Sequence, residues 1–139
     1  MIKAPSEGIK VLLTTHVGVS GWGIEIGAMP DNPDRIILVS DTGGFDPNPK
    51  WLLDYPTVQT LVRGGVNDYQ VAWTECSDAR DILLGMDPVV VNGDRWVSIT
   101  MLGDMSFIGR DENSRPLFSS NYRLIIEPQT TADTNRTAL

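Results

Sequence analysis

The 139-residue sequence holds one cysteine, Cys76, and one histidine, His16. A lone cysteine excludes an internal disulfide and points to a reducing compartment. A lone histidine without Cys or carboxylate partners at ligand spacing offers no metal site. No apolar run approaches the ~20 residues of a membrane-crossing helix. The N-terminus lacks the charged, then apolar, then small-residue order of an export signal, so synthesis and assembly in a cytoplasm are expected. Positive charge is also scarce: 11 Lys and Arg stand against 18 Asp and Glu, for a formal charge of -7. Neutralising phosphates needs clustered Lys and Arg, so no sequence-specific nucleic-acid binding is expected. The balance suits a soluble protein or one that meets other proteins. A hydrophobic share of 41% over this length suits one core.

The periodicity predicts the elements. Residues 5–16, PSEGIKVLLTTH, read as a first helix with Ser6 as candidate cap. Residues 22–27 read as a short strand, and 28–34, AMPDNPD, as a turn. RIILVSD, 35–41, is apolar on both faces and reads as a buried strand. Residues 42–56 hold three prolines and two glycines and read as a long loop. In it Trp51, after Lys50 and before Leu52 and Leu53, is either a core plug or an interface anchor. Residues 57–63 alternate, with Val58, Thr60 and Val62 on one face.

Residues 67–85 give the clearest helix, with Tyr69, Ala72, Trp73, Cys76, Ala79, Ile82 and Leu83 at helical spacing. Asn67 or Asp68 is its expected cap, Gly85 and Pro88 stop it, and Trp73 and Cys76 are assigned to the core. Asn92-Gly93 signals a hairpin inside 88–102, where Val97, Ile99 and Met101 alternate with Trp96, Ser98 and Thr100. Residues 105–109 read as a short strand. Residues 116–127 read as a long one with Phe118, Ser120, Tyr122, Leu124 and Ile126 on one face. Thr, Asn and Asp dominate 128–139, read as a flexible tail after a single domain spanning 1–127. The sum is an α+β fold: a mostly antiparallel or mixed β-sheet packed against one long helix and a shorter N-terminal helix.

Two short motifs suggest chemistry. Asp41-Thr42-Gly43 ends an apolar strand, as in aspartic proteases, and Ile108-Gly109-Arg110 occurs in retroviral-type proteases. Such a dyad needs a second carboxylate from a second subunit. The glycine-rich flap such an enzyme needs is not where it should be, because Gly64-Gly65 leads into the clearest helix. After the second motif, DENSRP leads to a proline and a strand instead of a helix. A strand-ending turn explains Asp41 more simply. Neither glycine pair precedes Lys-Ser/Thr, so no phosphate loop is read, and Asp31, Asp34 and Asp41 miss calcium-loop spacing. Catalytic, cofactor-binding and metal-ligating residues are therefore none.

Four stretches together resemble the tail-terminator and minor capsid proteins of long-tailed bacteriophages. They are Met29 to Asp34, Asp41 to Gly44, Pro56 to Gly64 and Gly109 to Asn113. Their shared order is more specific than any one of them. The resemblance implies a non-enzymatic virion protein of the tail or neck, without cofactors, assembled in the host cytoplasm. It implies a ring, typically of six copies, on the head-proximal end of the tail tube. That ring ends tube growth and meets the tail tube protein and a head-completion or connector protein. A head-completion or other neck or minor capsid protein is the alternative, and a small dimeric aspartic protease using Asp41 is the third reading. Expected interface residues are Asp46, Lys50 and Trp51 in the long loop and Arg110, Asp111, Glu112 and Arg115 in the turn 109–116. Those in the turn pair either with each other or with a neighbouring subunit.

Overall fold

A computed structural model describes residues 3–15, 21–49 and 53–128. His16, Lys50, Trp51 and the tail from 129 onward lie outside the described residues, and with them the expectations placed there. The elements are α1 (Pro5–Thr14), β1 (Gly23–Ile26), β2 (Ile36–Phe45), β3 (Tyr55–Arg63), α2 (Tyr69–Leu84), β4 (Val89–Val91), β5 (Asp94–Met101), β6 (Ser106–Arg110) and β7 (Pro116–Pro128). The strands form one sheet in the order β1-β2-β3-β7-β5-β4, and β6 adds to β7 below β5. Only the β1–β2 pair is parallel. The α+β expectation, with a longer and a shorter helix, matches this architecture.

The core lies between the two helices and one sheet face. Val58, Thr60 and Val62 of β3 are fully buried there, as the alternation predicts. So are Ser120, Tyr122, Leu124 and Ile126 of β7, with Phe118 2% exposed. From α1, Ile9 and Leu13 reach the same layer. Each fully buried aliphatic side chain contributes roughly 1.5–3 kcal/mol. Helix α1 lies so close to the sheet that a Cβ on Gly8 would overlap the Trp96 ring. The Asn92-Gly93 turn joins β4 to β5 with positive φ at both residues, which matches a two-residue hairpin.

Four expectations need correction. Trp73 is 42% exposed instead of core. The seam of α2 is built from the small residues Ala72, Cys76 and Ala79 with Leu83, and Trp73 sits a full ~100° step round the helix from Ala72. The small seam lets α2 approach the strands closely, so its largest apolar residue faces out. Second, the loop 42–56 shrinks to 46–54. β2 runs on through a β-bulge in which Thr42 and Gly43 oppose the single residue Thr57, and pairing resumes at Gly44↔Pro56. Gly43 and Gly44 have φ of 94° and 143°, which a strand reading of that segment would not allow for other residues. Third, a bulge at Val97 puts both Trp96 and Ile99 on the core side, against simple alternation. Fourth, Ser6 is not the cap of α1. Ala4 holds the N-cap position without a side-chain cap bond, and the capping group comes from the sheet.

Candidate functional site

That capping group is Asp41. Its Oδ1 accepts from the Ser6 backbone N–H at 3.0 Å and its Oδ2 accepts from Ser6 Oγ at 2.7 Å. A carboxylate at a helix N-terminus satisfies an orphan N–H and meets the positive end of the helix dipole. The protease-like triplet thus fastens α1 to β2, while Thr42 Oγ1 and Thr57 Oγ1 lie 2.7 Å apart across the bulge. Ile108-Gly109-Arg110 lies within β6, an edge strand that among the described residues pairs with β7 alone.

The polar turn after β6 forms a corner with the Pro/Asp turn before β2. Arg115 is the centre of it, its side chain 7% exposed. Its Nε donates to Asp111 Oδ2 at 2.7 Å, its Nη2 to Asp31 Oδ1 at 2.9 Å, and its Nη1 to Asp34 Oδ1 at 3.2 Å and to the Asp31 carbonyl at 2.7 Å. A second buried guanidinium, that of Arg63, donates to the carbonyls of Pro30, Pro33 and Asp34 at 2.8, 2.7 and 3.0 Å. Planar guanidinium forks suit this many acceptors at once. Burial pushes the Asp111 carboxyl up, but hydrogen bonds from the Arg115 amide and guanidinium and the Asn113 amide outweigh it, so its pKa is lowered. Burial and the neighbouring Arg115 charge lower the pKa of Arg63, against the pull of Asp111, Asp31 and Asp34.

Of the four residues expected to pair in this turn, the structure brings Asp111 and Arg115 together directly. Arg110 instead donates to the Val66 and Ser114 carbonyls at 3.1 and 2.8 Å and forms no ion pair with a described residue. Glu112 is exposed at the tip. Sequence reading missed Arg63, Asp31 and Asp34 as members of this corner. The available signal was an arginine closing a strand beside a Pro/Asp-dense turn.

The other expected contact region lies at the far end of β7. Asp46 is exposed there, beside an open groove lined by Gly44, Phe45, Asp46, Tyr55 and Arg123. Phe45 is 52% exposed, and the Arg123 guanidinium carbon sits 5.4 Å from its ring centre. Asn48 closes the described part of the loop, donating to Tyr55 OH at 3.1 Å and, through its N–H, to the Leu53 carbonyl at 3.1 Å. Among the described residues no group of three or more His, Cys, Asp or Glu is arranged to hold a metal ion. Among them, no helix is long and apolar enough to cross a membrane.

Against known proteins, residues 12–128 match the family model described as bacteriophage tail terminator protein. The chain belongs to the bacteriophage tail terminator family. Membership makes it a structural protein of the phage virion, associated with the tail, and bears out the resemblance carried by the four stretches. No curated protein matches the chain. Among solved structures it is similar to a chain described as "Virion of native gene transfer agent (GTA) particle", with 14% identity and a TM-score of 0.73, over 89% of this chain and 95% of that one. At that identity the likeness shows a shared fold. In this tail-terminator domain the conspicuous sequence motifs serve as structure: Asp41 caps a helix and Arg115 ties two turns together.

Proposed function

We propose that this tail-terminator family member caps the head-proximal end of the tail tube as a ring of identical copies, six in number. The ring ends tube polymerisation and forms part of the neck that joins tail to head. Its partners are further copies of itself, the tail tube protein and a head-completion or connector protein. The observation that carries this reading is the family match over nearly the whole described domain. The two candidate contact regions support it, because one lies at Pro116 and the other level with Ile126 along β7, about 33 Å apart at ~3.3 Å per residue. One end carries the Arg115 corner with Arg110 and Glu112 outward. The other carries Phe45, Asp46 and Arg123 round an open groove. A subunit built this way presents two chemically distinct ends to two different neighbours, as a termination ring requires.

The direct test is genetic. A phage lacking this chain should yield overlong tails, or tails without heads, and a plasmid copy should restore normal particles. Tails of normal length joined to heads would reject the proposal. Tails of normal length without heads would move the chain to another station in the neck.

A further inference from the structure

Two strands form opposite open edges of the sheet among the described residues at the same height, β1 and β6. Their directions follow from the pairings. β1 runs parallel to β2, β2 antiparallel to β3, and β3 antiparallel to β7, so β1 runs with β7. β6 runs against β7. The registers place the two edges level. One cross-strand row reads Gly23–Ile36–Arg63–Leu117–Gly109 and the next Ile24–Ile37–Val62–Phe118–Phe107. The third reads Glu25–Leu38–Leu61–Ser119–Ser106.

The second row is apolar from one edge to the other and lies on the helix side. Its members are buried until the last, Phe107, which is 44% exposed. Phe107 stacks with Tyr69 and Phe118 at ring-centre distances of 5.2 and 5.4 Å, so its position is fixed rather than free. Beside it Ile108 is 53% exposed at a bulge. A row of this kind that stops at an open edge leaves backbone groups and an aromatic face unpaired.

A copy displaced sideways, without being turned end for end, brings its β6 against β1 of the first copy, antiparallel and without sliding. Gly109, Phe107 and Ser106 then fall opposite Gly23, Ile24 and Glu25, and the apolar row continues across the junction. Charge does not decide the pairing: Glu25 falls opposite Ser106, while Arg110 lies level with Pro116, three rows along, and donates to the Val66 and Ser114 carbonyls. The third exposed edge, β4, does not fit. It runs with β7 and sits at the height of Ile126 to Pro128, beyond the reach of β1, whose last residue is level with Ser120.

We propose that neighbouring copies join by strand addition, β1 of one copy to β6 of the next, so that their sheets continue sideways round the ring. The inference rests on the ring reading above and names the surfaces that close it. The C-terminal end of β7 then stays clear of the lateral junction and faces an axial partner, while the Arg115 corner lies next to the junction.

The test uses Glu25→Cys and Ser106→Cys, which are opposite each other in the level register with Cβ atoms roughly 5 Å apart. Cys76, 1% exposed, stays out of reach of a reagent in water. The double variant, treated with a short bis-maleimide in concentrated solution and in assembled tails, should give a ladder of linked copies ending at the closed ring. Each single variant should stay unlinked. Linked dimers from a single variant would show like edges meeting and overturn the proposal. An unlinked double variant within a normal ring would overturn the edge pairing and leave the ring standing. A single unringed copy in tails would overturn both. Ile108→Lys, a charge on the edge strand, should weaken association at least tenfold with a melting temperature within about 2 °C of the parent. Unaltered association would contradict the proposal.

Discussion

The two ends of β7 were equally suspect as contact surfaces, yet they differ in what their charges do. At the N-terminal end the guanidiniums of Arg63 and Arg115 are spent inside the chain, on three carboxylates and a set of carbonyls. At the C-terminal end Phe45, Asp46 and Arg123 stand outward round an open groove. A dense run of charge therefore marks a surface only after its internal partners are counted. The first end is a rigid corner that holds two loops in register. The second is chemistry left facing outward.

Breaking the corner should have the largest effect. Arg115→Ala removes a buried guanidinium and leaves Asp31, Asp34 and Asp111 with mutual repulsion. It should cost about 3 kcal/mol of unfolding free energy in urea titration. A loss under ~0.5 kcal/mol would mean that the corner is solvated and contributes nothing. The next prediction sets a buried carboxylate without a partner against these paired ones. Glu75 of α2 is 5% exposed and its Oε1 has no hydrogen-bond partner among the described residues. Burial, with help from Asp78 and against Arg35, pushes its carboxyl up to about 7 from an ordinary 4.5. The folded chain therefore keeps a proton that the unfolded chain releases. Its contribution to stability is complete below the ordinary value and is lost as pH rises through about 7. Glu75→Gln should flatten that fall and exceed the parent above pH 7 by about 1–3 kcal/mol. Parallel pH profiles of the two would contradict it.

Asp41→Ala comes third. It removes two hydrogen bonds at the start of α1 and should cost about 1 kcal/mol, with α1 amides exchanging faster and the sheet unaffected. The smallest stability effect belongs to the open end. Phe45→Ser should change stability by less than ~0.5 kcal/mol, because that ring is half exposed. It should nonetheless reduce incorporation into particles, measured against free protein. Unchanged incorporation would strike Phe45 from the contact surface.

The contrast also shows which parts of the fold could be read from the chain. The alternation of β3 and β7, the Asn92-Gly93 hairpin and the span of α2 follow from local period and turn chemistry, and all were legible. What escaped depends on partners far along the chain. Arg115 and Asp31 are 84 positions apart, and nothing local links a C-terminal turn to an N-terminal one. The bulge at Thr42-Gly43 was hidden because two glycines read as a loop when no partner strand is in view. Trp73 was misplaced because it falls in the helical period beside Ala72, whereas a tightly docked helix keeps its seam to small residues and turns its neighbour outward. For the candidate site, the turn 109–116 was legible as a unit from its charges and Pro116. Its inward orientation was not.

The most direct test of the central claim is to locate this chain in an image of the assembled particle at a resolution that separates subunits. A closed ring of copies at the junction of tail tube and head, with β7 running from the tube side to the head side, is the predicted result. Density for this chain along the tail shaft, at the distal tip or inside the head would contradict it.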